Sequence, residues 1–144
     1  MLKNMYLISM LFLSICILSV GNMALAAQTE SLTVYYFHTT YRCHSCTLLE
    51  EYTRDAVMKN FPAELKSGRI KFVALNIEKD PNRHYIQDYH LSFKSVVVSV
   101  QDEKGREKRW ENLSKVWVYL RNRDALTKYV VERVRSHLKE VPGA

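Results

Sequence analysis

The run "SLTVYYFHT", Ser31 to Thr39, is dense in β-branched and aromatic residues and passes almost without a break into "YRCHSC". That composition suits a buried strand. The stretch that follows, "CTLLEEYTRDAVMKNF", carries apolar side chains near helical spacing at Leu48, Leu49, Tyr52, Ala56 and Val57. A Cys-x-x-Cys pair, Cys43 and Cys46, therefore stands where a strand feeds a helix. This junction limits the folds open to the chain and the chemistry open to the two cysteines.

Downstream, "PAELKSG" reads as a short turn or helix remnant that Gly68 stops, and "RIKFVALNI" (Arg69 to Ile77) as a second strand suited to a sheet interior. Asp80-Pro81-Asn82 opens a short helix over Arg83 to Tyr89, since proline is at home in a first helical turn. "SVVVSV" (Ser95 to Val100) predicts a third strand. A turn around Gly105 returns a fourth over Arg106 to Trp110, antiparallel to the third. Ser114 to Leu120 is expected to be helical. A last helix, capped by Asp124, runs to about Lys139 with Leu126, Tyr129, Val130, Val134 and Leu138 on its apolar face, and Pro142 and Gly143 end it. The order is β-α-β-α-β-β-α. Its strand–helix–strand opening requires a right-handed crossover and a parallel pair. The expected fold class is α/β, a mixed four-stranded sheet with helices on both faces.

The 144 residues suffice for one domain with a real core, and 47% apolar against 25% charged residues excludes a disordered chain. The first 27 residues differ from the rest. They carry one early lysine, an apolar run and a small-residue end, and Ala24-Leu25-Ala26 fits a signal-peptidase site with cleavage after Ala26 or Ala27. An uncleaved anchor is the alternative, because the apolar segment is almost long enough to span a bilayer. On the first reading residues 28–144 form an exported domain, periplasmic or secreted. A membrane enters only if the segment is retained.

Export decides the cysteine arithmetic. Of the three cysteines, Cys16 leaves with the signal, and Cys43 and Cys46 remain. A domain stapled by disulfides carries several pairs spread along the chain, whereas one pair closing so short a loop removes little unfolded-state entropy. The formal charge of +6 becomes 6 − 1 = +5 once Lys3 is removed, but its basic residues are scattered among acids. That spread is a solvated surface, and no nucleic-acid partner is expected.

A thiol at a helix start meets free backbone N–H groups and the positive end of the helix dipole, which favour thiolate. Cys43 is then the exposed nucleophile, and Cys46, one turn later, lies beneath it and resolves the mixed disulfide. Arg42 and His44 flank Cys43 and are expected to lower its pKa further, so the pair is expected to be a redox-active disulfide with no other cofactor. The thiol is predicted to titrate below the free-cysteine value of ~8.5 and the pair to be more oxidising than thioredoxin, at ~−270 mV.

The strand, the Cys-x-x-Cys at the helix start and the α-β-α-β-β-α order that follows resemble the thioredoxin superfamily. The strings "YYFHTTYRCHSC", "LSFKSVVV" and "RWENLSKVW" look closest to a thioredoxin-fold group known as ArsF-type nitrophenyl-compound nitroreductase subunits. The resemblance implies a thiol–disulfide oxidoreductase working on protein dithiol or disulfide partners, with Cys43 attacking and Cys46 resolving. Two features depart from thioredoxin. The place of its cis-proline, beside the substrate groove, is held here by Lys94-Ser95, where a non-proline cis bond would cost ~3 kcal/mol and a trans peptide is expected. The place of its buried aspartate falls at Phe37, and His38 is a candidate proton acceptor for Cys46. The alternative for His38 is a hydrogen bond to the loop backbone. Tyr41 and Trp110 are candidates to border the site.

Other readings stand beside this one. Cys43 and Cys46 make half of a zinc site, with His38 or His44 as a third ligand, although His84, His90 and His137 are isolated and a closed site within one chain is not expected. Haem attachment is excluded because Thr47, not histidine, follows Cys46. A redox-inactive subunit of a larger reductase complex is the remaining alternative.

Overall fold

The six inner residues of strand β1 (Ser31–His38) are all buried, which places this strand inside the molecule with neighbours on every side. A computed structural model describes residues 30–141, so the expected signal segment and the stop at Pro142 and Gly143 lie outside the described residues. Strand β1 pairs in parallel with β2 (Ile70–Asn76), from Leu32 opposite Ile70 to His38 opposite Asn76. On its other edge it pairs antiparallel with β3 (Ser95–Gln101), from Ser31 opposite Gln101 to Phe37 opposite Ser95. Strand β4 (Glu107–Asn112) closes the sheet antiparallel to β3, with a register shift at Val100/Gln101. The order is β2-β1-β3-β4, a mixed four-stranded sheet in the thioredoxin-like arrangement.

Alternation along β1 divides the core in two, because successive side chains of a strand point to opposite faces. Leu32, Val34 and Tyr36, with Val96, Val98 and Val100 of β3, face helices α1 (His44–Asn60) and α5 (Arg123–Leu138), which supply Leu49, Ala56, Val57, Leu126, Val130, Val131 and Val134. Tyr35, Phe37 and Val97 face the other way, against Ile77, Tyr89 and Leu91 around the short helix α3 (Tyr85–Asp88). Helices α2 (Pro62–Lys66) and α4 (Val116–Tyr119) complete the set. Gly68 and Gly105 both take positive φ, 78° and 74°, as their expected stop and turn roles require. None of the described helices is long and apolar enough to cross a membrane.

Three local expectations are corrected. The helix expected over Arg83 to Tyr89 is a 3₁₀ turn at Asp80–Asn82 followed by α3, and it stops at His90, whose φ of 50° is left-handed. The cap of α5 is Asn122, not Asp124: its side-chain oxygen accepts from the Ala125 N–H at 3.0 Å, and Asp124 lies inside the first turn. Val131 joins the buried face of α5, while Tyr129 and Leu138 are only partly buried.

A polar clasp holds α5 to the edge strand. Arg133 Nε (3.0 Å) and Nη2 (2.6 Å) and His137 Nε2 (2.8 Å) converge on one carboxylate oxygen of Glu111 in β4. Burial raises the Glu111 pKa, but the bonds from Arg133 and His137 outweigh it, and the carboxyl is held below its ordinary 4.5. A depressed carboxyl pKa contributes stability that is present above the ordinary value and lost as the pH falls through the depressed one. Glu111→Gln is therefore expected to flatten the acid limb of urea-unfolding stability against pH, starting below pH 4.5. In the core, Leu49→Ala should cost ~2–5 kcal/mol by the same measurement, against less than ~0.5 kcal/mol for a change at exposed Met58.

Candidate active site

The Cys-x-x-Cys lies at the end of the sheet where β1 runs out, because the chain turns from His38 into α1 through only five residues. Those residues are tied down. The Thr40 N–H donates to Glu78 Oε2 at 2.8 Å, and Asn76 Nδ2 donates to Thr40 Oγ1 at 3.0 Å, fastening the loop to the end of β2. Cys43 is the N-cap residue of the 17-residue α1, with extended backbone at φ −76°, ψ 162°. Its carbonyl accepts the first helical bond, from the Thr47 N–H at 3.0 Å, and its Sγ accepts from the Cys46 N–H at 3.2 Å. The sulfur thus occupies the place of a capping oxygen, against the unpaired N–H groups of the helix start.

Cys43 and Cys46 are joined as a disulfide with their Cα atoms 5.0 Å apart. The two sulfurs are not equivalent. Cys43 is partly exposed, whereas Cys46 is 1% exposed. Attack from outside is therefore open at Cys43 and closed at Cys46.

Beneath the pair the structure places a residue that sequence reasoning missed. Tyr36 is fully buried, and its hydroxyl donates to the Cys46 carbonyl at 2.7 Å, tying β1 to the first turn of α1. Burial pushes the Tyr36 phenol up to about 12, with Arg42 pulling it down and Glu50 pushing it up. Phe37 points to the other face and packs among Tyr35, Tyr85 and Tyr89 at centroid distances of 5.2 to 5.5 Å. The polar group under Cys46 is thus a phenol from the neighbouring position, on the face that alternation assigns to α1.

Arg42 pairs with Glu50 of α1, and its guanidinium lies 5.8 Å from the centroid of the Tyr36 ring. Glu50 is also bonded to Arg54. Burial raises the Glu50 pKa, but the bonds from both arginines outweigh it, and the carboxyl stays below its ordinary value. Glu50 escaped the sequence reading, although its spacing offered a signal: it stands four residues after Cys46 and four before Arg54, on one helix stripe. His44 is exposed. His38 makes its hydrogen bond to the loop backbone, with Nδ1 2.9 Å from the Thr39 carbonyl. A carbonyl only accepts, so Nδ1 carries the proton and Nε2 of the neutral ring is left as an acceptor.

The Lys94–Ser95 peptide is trans, as no cis bond occurs among the described residues. Ser95 is buried and its hydroxyl donates to the Phe93 carbonyl at 2.8 Å. Trp117 Nε1 donates to the Lys94 carbonyl at 2.9 Å, and its ring meets Phe93 edge-on at 5.9 Å. Phe93 itself is 54% exposed and Tyr41 is 77% exposed, so the segments leading into the motif and into β3 each present an aromatic ring to solvent. Trp110, by contrast, lies on β4 and packs against Tyr89, away from the motif. Among the described residues, no three His, Cys, Asp or Glu side chains are grouped to hold a metal ion.

No family model matches the chain, and no curated protein does. Solved structures similar to it include human ERp44, at 12% identity and TM-score 0.46 over 83% of this chain and 31% of that one. Xanthomonas campestris peroxiredoxin Q is similar at 12% identity and TM-score 0.40 (79% of this chain, 84% of that one), and Fasciola hepatica thioredoxin at 14% and 0.34 (71% and 84%). The chain thus spans less than a third of ERp44. In strand order, register and the place of the motif the chain is a thioredoxin-like domain with a Cys-x-x-Cys pair.

Tyr36→Phe tests the tie under the pair. Loss of one buried hydrogen bond should lower unfolding stability by ~1 kcal/mol. It should also remove the tyrosine that ionises at about 12 from an ultraviolet titration of the folded protein.

Proposed function

We propose that the protein is an exported thiol–disulfide oxidoreductase that exchanges disulfides with partner proteins. The observation that carries this reading is the asymmetry of the pair: a partly exposed sulfur at the N-cap of a long helix, joined to a buried one a turn below. In the oxidised state a partner thiolate attacks Cys43 Sγ, forming a mixed disulfide and releasing Cys46 as thiolate. A second partner thiol, losing its proton, attacks the partner's own sulfur and releases Cys43 as thiolate. Two electrons pass from the partner dithiol to the pair, and the protons that the partner's thiols give up to solvent are balanced by those the Cys43 and Cys46 thiolates take up from it. Run backwards, the same steps reduce a partner disulfide, with Cys43 attacking and Cys46 resolving.

The surrounding residues take supporting roles in this reading. The helix start and exposed His44 favour the Cys43 thiolate, and His38 Nε2 is the candidate acceptor for the Cys46 proton. Lys94 and Ser95 are the residues beside which a partner's extended segment would lie, next to exposed Phe93. The likeness of "YYFHTTYRCHSC", "LSFKSVVV" and "RWENLSKVW" to ArsF-type subunits belongs to the same proposal. So does the location: removal of residues 1–27 would deliver the domain outside the cytoplasm, where an oxidised pair persists.

Equilibration with glutathione redox buffers tests the reading. The pair should titrate as a two-electron couple with a potential above ~−270 mV. Cys43→Ser should abolish exchange with a model protein disulfide, whereas Cys46→Ser should accumulate a mixed disulfide through Cys43. Wild-type protein that neither oxidises nor reduces a model substrate would overturn the proposal.

A further inference from the structure

Arg42 precedes the attacking cysteine, yet its guanidinium is engaged elsewhere. Its partner, Glu50, stands seven residues beyond Cys43 along α1. At ~1.5 Å of rise per residue the Cα positions of the two residues are roughly 10 Å apart along the helix axis. The guanidinium lies against the Tyr36 ring, whose hydroxyl reaches the Cys46 carbonyl beneath the pair. Arg42 is therefore paired along the flank of α1, with its charge matched by Glu50.

We propose that Glu50 is a positioning residue for the dithiol: by holding Arg42 on the flank of α1, it withholds a cation from Cys43 and keeps the attacking thiol less acidic than its neighbours alone would make it. The inference rests on Cys43 being the attacking thiol.

The physics is a competition for one charge. Coulomb attraction falls as the inverse of distance, and the Glu50 carboxylate paired with the guanidinium opposes its field at the thiolate, while salt at physiological strength screens what is left. Glu50 competes well because its side chain is only 14% exposed and accepts from two arginines. Arg54 lies over the Phe72 ring at 5.1 Å, which gives the Glu50 pair a second fixed wall. The other charged or titratable groups around the motif are His44 of α1, His38 and Tyr36 of β1, Lys94 before β3, and Glu78 after β2, which is bonded to Thr40. Arg42, adjacent to Cys43 in the chain, is paired with a residue on the same helix as the cysteines.

A double-mutant cycle on the reduced full-length protein tests this, with thiolate formation at Cys43 read as the pH profile of alkylation by iodoacetamide. Glu50→Gln should free Arg42 and lower the Cys43 midpoint by about half a pH unit, roughly a threefold gain in acidity. In an Arg42→Gln background the same substitution should leave the midpoint unchanged. An equal fall in both backgrounds would mean that Glu50 acts through its own charge, and no fall in either would mean that it does not act at all; each result overturns the proposal. Arg42→Gln alone gives a second reading should Glu50→Gln fail to fold. A held-away arginine predicts a rise of less than about 0.2 units, whereas a rise approaching one unit overturns the inference. The profile is measured without any partner, so failure of disulfide exchange and failure of this coupling are separate outcomes.

Discussion

Strand β1 is the constraint from which the rest of the structure follows. Hydrogen-bonded to β2 on one edge and β3 on the other, it has its inner residues buried on both faces. Its alternation then forces two half-cores, one under α1 and α5 and one under α3. A one-residue slip of register would exchange them, sending Tyr36 among the rings of α3 and Phe37 under the cysteines. With the strand locked, its exit point is locked too, and α1 must begin within a few residues of His38. The helix start that carries Cys43 is thus placed by a strand whose six inner residues are all buried.

From that placement the chemistry acquires direction. The N-cap position gives Cys43 solvent and helix N–H groups, while the first turn carries Cys46 into the core. Tyr36 fastens that turn to the sheet through a hydrogen bond to a backbone carbonyl, which constrains geometry without adding a charge. Charge enters instead through the Arg42–Glu50–Arg54 chain on the flank of α1. The polar group beneath the pair is a phenol, with a carboxylate already occupied by two guanidinium groups beside it.

Much of the architecture was legible in the sequence. "SLTVYYFHT" and "SVVVSV" are dense enough in β-branched residues to predict the two central strands, and the spacing of Leu49, Ala56 and Val57 predicts the face α1 buries. The errors fell where several local solutions compete. Asn122 and Asp124 are both good caps, and the choice of Asn122 lengthens α5 by two residues at its start. The stretch from Asp80 to Tyr89 carries a proline and several polar residues, and it divides into a 3₁₀ turn and a four-residue helix because Tyr85 and Tyr89 must reach the ring of Phe37.

The sequence by itself determined that a cysteine pair sits at a strand-to-helix junction, that one cysteine caps the helix and that the other lies a turn inside it. These follow from local periodicity and from the few residues between strand and helix. Only the tertiary structure decided what surrounds the pair. Strand alternation put Phe37 on the far face, and the His38 Nδ1–H donates to the loop carbonyl of Thr39, leaving Nε2 as the ring's acceptor. Tyr36 reached Cys46 instead. Arg42 adjoins Cys43 in sequence, yet its long, flexible side chain is free to choose its partner, and the half-buried carboxylate of Glu50 along α1 gave it a better site than the helix start, whose own dipole repels a cation.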